Sequence, residues 1–355
     1  MNYIPQAENC MKKGGRIETI DIAKGLGILF VVWSHAKGPF TPYMYQFHMP
    51  LFFLISGFLF NSRNTPAQFL GKKVSSLYIP FVFWNLCSLL ITTALHIQEF
   101  SDIHLVKKIL KIILTLDKDG KFMGATWFLG ALFVVSVVYK LMDYYMPSVK
   151  GKSIFLVILF GCVAATGFSI NFPYLLSRTL ILSFYFAIGR AAKEYKEVIY
   201  VYHSGILVCF SIILFAIIGH YNAINMAKNT YTYPFLFAIG ALLASYVVIY
   251  VSEILQKRTI WIKKALIVMG ENSISIVIWQ FVVFWIIEAV QFKLFGIPFV
   301  QLFENYPPYK TTNGWWIVYL IVGAVASMLI GEIISAVKQG IGRVTKKILM
   351  KPYKM

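Results

Sequence analysis

Long apolar runs, separated by short basic or turn-rich stretches, organise this chain. Ten runs stand out, at about 20–36, 43–60, 77–97, 124–142, 153–170, 173–190, 201–219, 232–254, 268–291 and 314–336. Most approach the roughly 20 apolar residues that a helix needs to cross a hydrocarbon core about 30 Å thick. The first and fifth are short. The break near Asn171 and Pro173 rests on a proline, which either ends a helix or only kinks it. One long span there would leave nine. The pattern predicts an all-α, polytopic integral membrane protein of about ten transmembrane helices.

Composition agrees. Of 355 residues, 58% are hydrophobic and only 14% charged, and the mean hydropathy is +0.69. That excludes an ordinary soluble globular protein. A net charge of +18 raises the question of nucleic acid. The basic residues lie in small clusters between apolar runs, however, which is the distribution of membrane loops. With ten spans and the N-terminus inside, 22 of the 33 Lys and Arg residues fall in inner segments and nine in outer ones. Both termini are therefore expected in the cytoplasm. A nine-span chain would place the basic 257–264 loop and the C-terminal tail outside, against that rule. No polar stretch is long enough for a soluble core, so 1–355 reads as one membrane domain, with a cytoplasmic N-terminal segment 1–19 and a short basic tail 338–355. Ser34-His35-Ala36 has the form of a signal-cleavage site. The long stretch before the apolar core, and the charges within it, argue instead for a retained span. Cys10, Cys87, Cys162 and Cys209 form no CxxC, so no metal site or disulfide framework is expected.

One outer loop has a pattern of its own. Across 101–116, His104, Lys107, Lys108 and Lys111 share one face, while Ile103, Val106, Leu110 and Ile113 form an apolar stripe. With Ser101 or Asp102 as cap, this predicts an amphipathic helix at the membrane interface.

Candidate chemistry begins in the first span, which carries Asp21, Lys24 and His35. Ionisable groups within a span are costly and point to function. Lys24 and His35 are eleven residues apart, which returns them to nearly one helix face, about 16 Å apart along the axis. The second span opens outside with Gln46-Phe47-His48-Met49-Pro50, so His35 and His48 are expected at one outer level. Two histidines at an apolar site suit general-base work on a hydroxyl. Lys24 lies deeper, and Arg63, Lys72 and Lys73 stand at the inner mouth, an arrangement for an anionic ligand from the cytoplasm. Arg178, one turn into the sixth span, either lines the cavity or snorkels outward. Glu253, Glu288 and Glu332 fall near span ends and read as solvated. No GxSxG, HExxH, Walker or CxxC motif is present.

These residues carry a resemblance. Asp21-Ile22-Ala23-Lys24-Gly25-Leu26-Gly27, Ser34-His35-Ala36 and Phe47-His48-Met49-Pro50-Leu51-Phe52-Phe53-Leu54-Ile55-Ser56-Gly57-Phe58 resemble the membrane-bound acyltransferase family 3, especially its fucose 4-O-acetylase-like branch. Lys24 and His35 match the family's basic residue, ten positions and histidine. His48 matches its histidine-Met-Pro opening of the second helix. Thr126-Trp127-Phe128-Leu129 is similar to its Trp-Phe-Leu stretch, and Gly270-Glu271-Asn272-Ser273 to its late Gly-x-Asn-Ser stretch. The likeness is strong over 16–63 and thinner beyond. One departure is Trp279-Gln280, where related chains often carry a histidine; glutamine forms hydrogen bonds but does not titrate.

The resemblance implies a multi-pass enzyme of the bacterial plasma (inner) membrane that takes acetyl from cytoplasmic acetyl-CoA and places it on a hydroxyl of an envelope saccharide or lipid-linked sugar. Acetyl-CoA is then a donor substrate, with no bound cofactor. His35 is expected as the base or as a transient acyl carrier, and Lys24 as the group that positions the donor or stabilises charge. Asp21 would hold Lys24, and His48 and Trp127 would shape the acceptor side, since aromatic faces suit sugar rings. The rival reading is a transporter or flippase for a lipid-linked saccharide, with the histidines as a proton relay. No internal repeat of the kind many transporters show supports it.

Overall fold

The computed structural model describes residues 11–12, 16–95, 102–118, 120, 122–173, 175–201, 203–258, 260–304 and 306–349. Cys10, Lys13, Ser101, Lys121 and the last six residues of the basic tail lie outside the described residues.

Helices dominate. Two short strands, β1 (Met11–Lys12) and β2 (Arg16–Ile17), pair antiparallel ahead of α1 (Glu18–His35). Then come α2 (Thr41–Tyr45), α3 (His48–Phe58), α4 (Pro66–Lys73) and α5 (Ile79–Ala94). Next are α6 (Asp102–Leu110), α7 (Trp127–Tyr145), α8 (Lys152–Ser169), α9 (Leu176–Glu194), α10 (Lys196–Val201) and α11 (Gly205–Tyr221). A small hairpin of β3 (Ile224–Asn225) and β4 (Thr230–Tyr231) precedes α12 (Pro234–Arg258). The chain ends with α13 (Ile260–Glu271), α14 (Ser273–Phe295), α15 (Val300–Glu304) and α16 (Trp315–Leu349).

Every predicted apolar run holds a helix, but several boundaries differ. The run from 43 is broken at Gln46 and Phe47, so α3 has only 11 residues and a length of about 16 Å. The run from 77 belongs to a helix that starts earlier, at Pro66. Thr65 caps it by accepting from Gln68 N, and Gln68 Oε1 in turn accepts from Thr65 N. Pro80 has no N–H to donate to the preceding turn. The chain passes it through a wide π-helical turn over Val74–Tyr78, in which Ile79 N donates to Val74 O. The run from 268 divides at Asn272 into α13 and α14. The break at Asn171 and Pro173 is real: α8 stops at Ser169, and α9 starts at Leu176.

Among the described residues, six helices are long and apolar enough to cross a membrane: Pro66–Ala94, Trp127–Tyr145, Lys152–Ser169, Pro234–Lys257, Ser273–Phe295 and Trp315–Gly340. Charge or length sets the others apart. α1 carries Glu18, Asp21 and Lys24; α9 carries two arginines, Lys193 and Glu194; α3 and α11 are shorter. Large apolar side chains face outward in bands, including Phe83, Leu90 and Ile91 on α5, Ile206, Phe210 and Ile213 on α11, and Ile321, Leu329 and Ile333 on α16. Exposure on that scale fits hydrocarbon rather than water. The molecule is an all-α, multi-pass membrane protein.

Inside, the packing centres on α1, α3 and α9, with α7, α8, α12, α13, α14 and α16 around them. Two crossings bring backbones together. Gly57 of α3 meets the carbonyl of Phe186, and Gly189 of α9 meets that of Leu54. Gly25 of α1 meets the carbonyl of Leu266, and Gly270 of α13 meets that of Asp21. A Cβ at any of these positions overlaps backbone that cannot rotate away, so only glycine permits the approach. Replacing Gly57 or Gly189 by Val is expected to cost more than about 2 kcal/mol through forced separation of α3 and α9. Gly71, on α4, has open space around it, so Gly71→Ala is expected to be neutral or slightly stabilising. Thermal melts in detergent check the contrast; equal melting temperatures for all three variants would contradict this packing.

Candidate functional site

The predicted site residues separate into a pair of histidines where α1 ends and α3 begins, an ion pair on the N-terminal half of α1, a cluster of cations at the far end of α3, and a cation–aromatic pair on α7 and α9.

The two histidines are brought together as expected. His35 ends α1 and His48 opens α3, and the ring of Tyr45, on the short α2, stands between them. Ring centroids are 6.5 Å apart for His35 and Tyr45 and 5.6 Å for Tyr45 and His48. His35 also lies against Phe281 at 4.9 Å. Each imidazole is held by its Nδ1. His35 Nδ1 lies 2.9 Å from Gln280 Oε1, and His48 Nδ1 lies 2.6 Å from the Met44 carbonyl oxygen. The carbonyl only accepts. Gln280 spends its amide group on the Val277 carbonyl at 3.2 Å, which turns Oε1 toward His35. Both histidines therefore carry hydrogen on Nδ1 and the lone pair on Nε2. A fixed tautomer with a lone pair on the outer nitrogen is the arrangement of a general base.

Gln280 explains the departure seen in the sequence. At the position where the sequence departs from the pattern it resembles, the glutamine holds the His35 ring by its side-chain oxygen. Two further residues shape the site without a sequence signal strong enough to find them. Tyr45 lies three positions before His48, on the approach to α3, and its hydroxyl donates to Ser34 O at 3.2 Å. Tyr306 comes from the long loop before α16; its ring packs on Phe281 at 5.3 Å and its hydroxyl touches Gly124. Lys37 ties the same loop down by donating to Pro308 O at 3.2 Å.

Lys24 is not part of this group. Its Nζ lies 2.8 Å from Asp21 Oδ1, and the pair sits beside the crossing of α1 and α13. The sequence had both on the face of His35, and Asp21 as the partner of Lys24; the ion pair is present, about 16 Å along the axis from the imidazole.

At the other end of α3, the turn that carries Arg63 is gripped by lysines. Lys140 donates to Ser62 O at 2.8 Å and Lys193 to Phe60 O at 3.1 Å; Lys72 donates to Asn64 Oδ1 at 3.2 Å. Lys140 is almost wholly buried, with its ammonium 5.7 Å from the Phe60 ring. In the sequence Lys140 and Lys193 look like ordinary positive-inside residues. Their aim at one turn depends on the glycine contact of α3 with α9.

Trp127 and Arg178 meet directly, with the guanidinium 4.9 Å from the indole centroid. Trp127 opens α7, and Thr126 before it receives a hydrogen bond from Asn85 at 3.1 Å. One carboxylate departs from its expected place: Glu288 is fully buried within α14, whereas its position near a span end had pointed to solvent. Glu253 pairs with His203 at 3.1 Å. The described residues contain no cluster of His, Cys, Asp and Glu that would hold a metal ion.

Comparison with known proteins adds to this geometry. A family profile described as "Acyltransferase domain" matches residues 17–335. Two proteins named "Nodulation protein NolL" are similar over a shorter stretch. The one from Mesorhizobium japonicum is 27% identical over 140 residues, covering 35% of this chain and 35% of that protein. The one from Sinorhizobium fredii is 31% identical over 140 residues, covering 35% of this chain and 36% of that protein. The matched stretch thus spans about a third of the length of these curated relatives.

The tautomer assignment has a direct check. In ¹⁵N spectra of histidine-labelled protein, His35 and His48 are expected with hydrogen on Nδ1. Gln280→Leu is expected to release His35 alone into a tautomer mixture. A His35 signal unchanged by that substitution would mean Gln280 does not orient it.

Proposed function

We propose the following function from the premise that this chain belongs to the acyltransferase family whose profile it matches over residues 17–335: it is a membrane O-acyltransferase that moves an acetyl group from cytoplasmic acetyl-CoA to a hydroxyl of an envelope saccharide on the outer side. The chain crosses the bacterial plasma membrane ten times, with both termini inside. The observation that carries the reading is the pair of oriented histidines at the outer end of α1 and α3, with lysines and Arg63 collected at the inner end of the same short α3.

The chemistry follows from that polarity. The nucleotide and phosphates of the donor rest at the inner mouth among Arg63, Lys72 and Lys193, where cations offset their charge. The acyl-bearing arm passes Lys24, which Asp21 holds in place, and presents its thioester near His35. An acceptor hydroxyl lies against His35 Nε2 and attacks the thioester carbonyl. A new C–O bond forms, the C–S bond breaks, and the hydroxyl proton passes to Nε2 and then to the departing thiolate. His48, with the same tautomer, contacts the acceptor side, and Trp127 shapes it through the Arg178 guanidinium that it holds. Gln280 acts through His35 as a positioning residue.

Purified protein in detergent tests this. Wild type is expected to bind acetyl-CoA and to hydrolyse it slowly or acetylate an envelope extract. His35→Ala, shown folded by its melting curve, should still bind the donor but lose turnover by at least about 100-fold. Lys24→Ala should instead weaken donor binding. Folded wild type that neither binds nor consumes any acyl-CoA would sink the donor assignment and favour saccharide transport.

Topology has its own test. In a cysteine-free background, a cysteine placed at Lys118 is expected to react with an impermeant maleimide on intact cells, and one at Lys338 only after permeabilisation. The reverse pattern would invert the proposed polarity.

A further inference from the structure

A cavity of about 320 Å³ opens beside the Trp127 and Arg178 pair, between the turn that joins α8 to α9 and the β3–β4 hairpin. That volume is at the lower end of the range for small-ligand sites. Its wall is charged on one side only. Arg178 projects from the first turn of α9, and Lys228 from the hairpin; among the described residues no Asp or Glu lines it.

The walls are built rather than incidental. Ser177 Oγ accepts from Phe172 N and donates to Ile170 O, each at 2.8 Å, which fixes the α8–α9 turn. Asn229, in the left-handed conformation at φ 53°, donates to Gly167 O at 3.3 Å and locks the hairpin onto the end of α8. The Trp127 face fixes the plane of the Arg178 guanidinium.

We propose that this cavity binds an anionic group of the acceptor, a carboxylate or a phosphate ester attached to the sugar. Arg178 grips it with two parallel N–H donors, and Lys228 adds a second charge. The inference rests on the acyltransferase reading and narrows its acceptor to acidic saccharides. Trp127 stacks on Arg178, and Gly124, three residues earlier, touches Tyr306 and Phe281, which packs on His35. The cavity thus connects to the histidine site through one series of contacts.

Thermal-shift titrations at constant ionic strength test the site on the full-length protein in detergent. The probes are a glucuronate-containing tetrasaccharide, a monosaccharide phosphate, and neutral maltotetraose. One or both anionic probes should stabilise wild type saturably, and the neutral one should not. Which anion binds more tightly distinguishes a sugar carboxylate from a phosphate ester. Lys228→Gln, at an exposed position, should raise the midpoint concentration roughly 10-fold, about 1.4 kcal/mol. Arg178→Gln should abolish the response, and Arg178→Lys should restore part of it. Absence of any anion response in wild type, or the same response in Arg178→Gln, overturns the subsite. Donor hydrolysis without acceptor is measured on the same samples. If it persists while the anion response is missing, this inference fails alone; if anions bind but no acyl-CoA is bound or consumed, the acyltransferase reading fails instead.

Discussion

The contact between Gly25 and Gly270 sets the geometry on which the histidine site depends. With no side chain between them, α1 and α13 cross at backbone distance, and α14 leaves that crossing alongside α1. His35 is ten residues beyond Gly25, and Gln280 is ten residues beyond Gly270. Helices that start from one level and climb about 1.5 Å per residue keep level. The imidazole and the amide thus arrive together without any direct link in sequence. A bulkier residue at either glycine would displace one helix against the other and misalign a hydrogen bond about 15 Å away. Two of the motifs that carry the family resemblance, one early and one late in the chain, are in this sense the two halves of a single joint.

The same logic applies to α3. Its Gly57 sits against the backbone of α9, and the reciprocal Gly189 sits against α3. That crossing carries Lys193 to the turn after α3, where Lys140 reaches the adjacent carbonyl from α7. The lysine-gripped turn and the histidine pair therefore lie at opposite ends of one rigid element. Its apolar side chains, Leu51, Phe53 and Ile55 among them, are buried on every side, so the helix acts as a core strut instead of a lipid-facing span.

Much of this is legible in the sequence. Ten apolar runs each yield a helix, and the convergence of His35 with His48 follows from antiparallel connection across a short outer loop. Other parts are not legible, for definable reasons. The split of the second run at Gln46 and Phe47 leaves hydropathy unchanged, so composition alone cannot see it. The early start of α4 depends on a Thr65 capping box and on polar residues that a hydropathy reading discards. Glu288 reads as solvated because its burial comes from partners distant in sequence. Lys140 and Lys193 are masked by the positive-inside bias, which predicts cations there whatever they contact. Gln280 reads as a loss because it cannot titrate; only the structure shows that its hydrogen bond is what the position supplies.

The shortness of α3 has a consequence for how such a reaction can work at all. Its 11 residues span about 16 Å, roughly half the thickness of a bilayer's hydrocarbon core. On the proposed reading, the stretch between the lysine-gripped turn and His48 is the thickness that the acyl-bearing arm has to cover. On the proposed reading, a donor moored by its phosphates in one compartment needs only an extended arm to bring its thioester to the far side. No charged group then has to move through hydrocarbon. The barrier is narrowed at one point instead of being opened, and a small neutral acyl group crosses by changing bonds while both larger molecules stay in their own compartments.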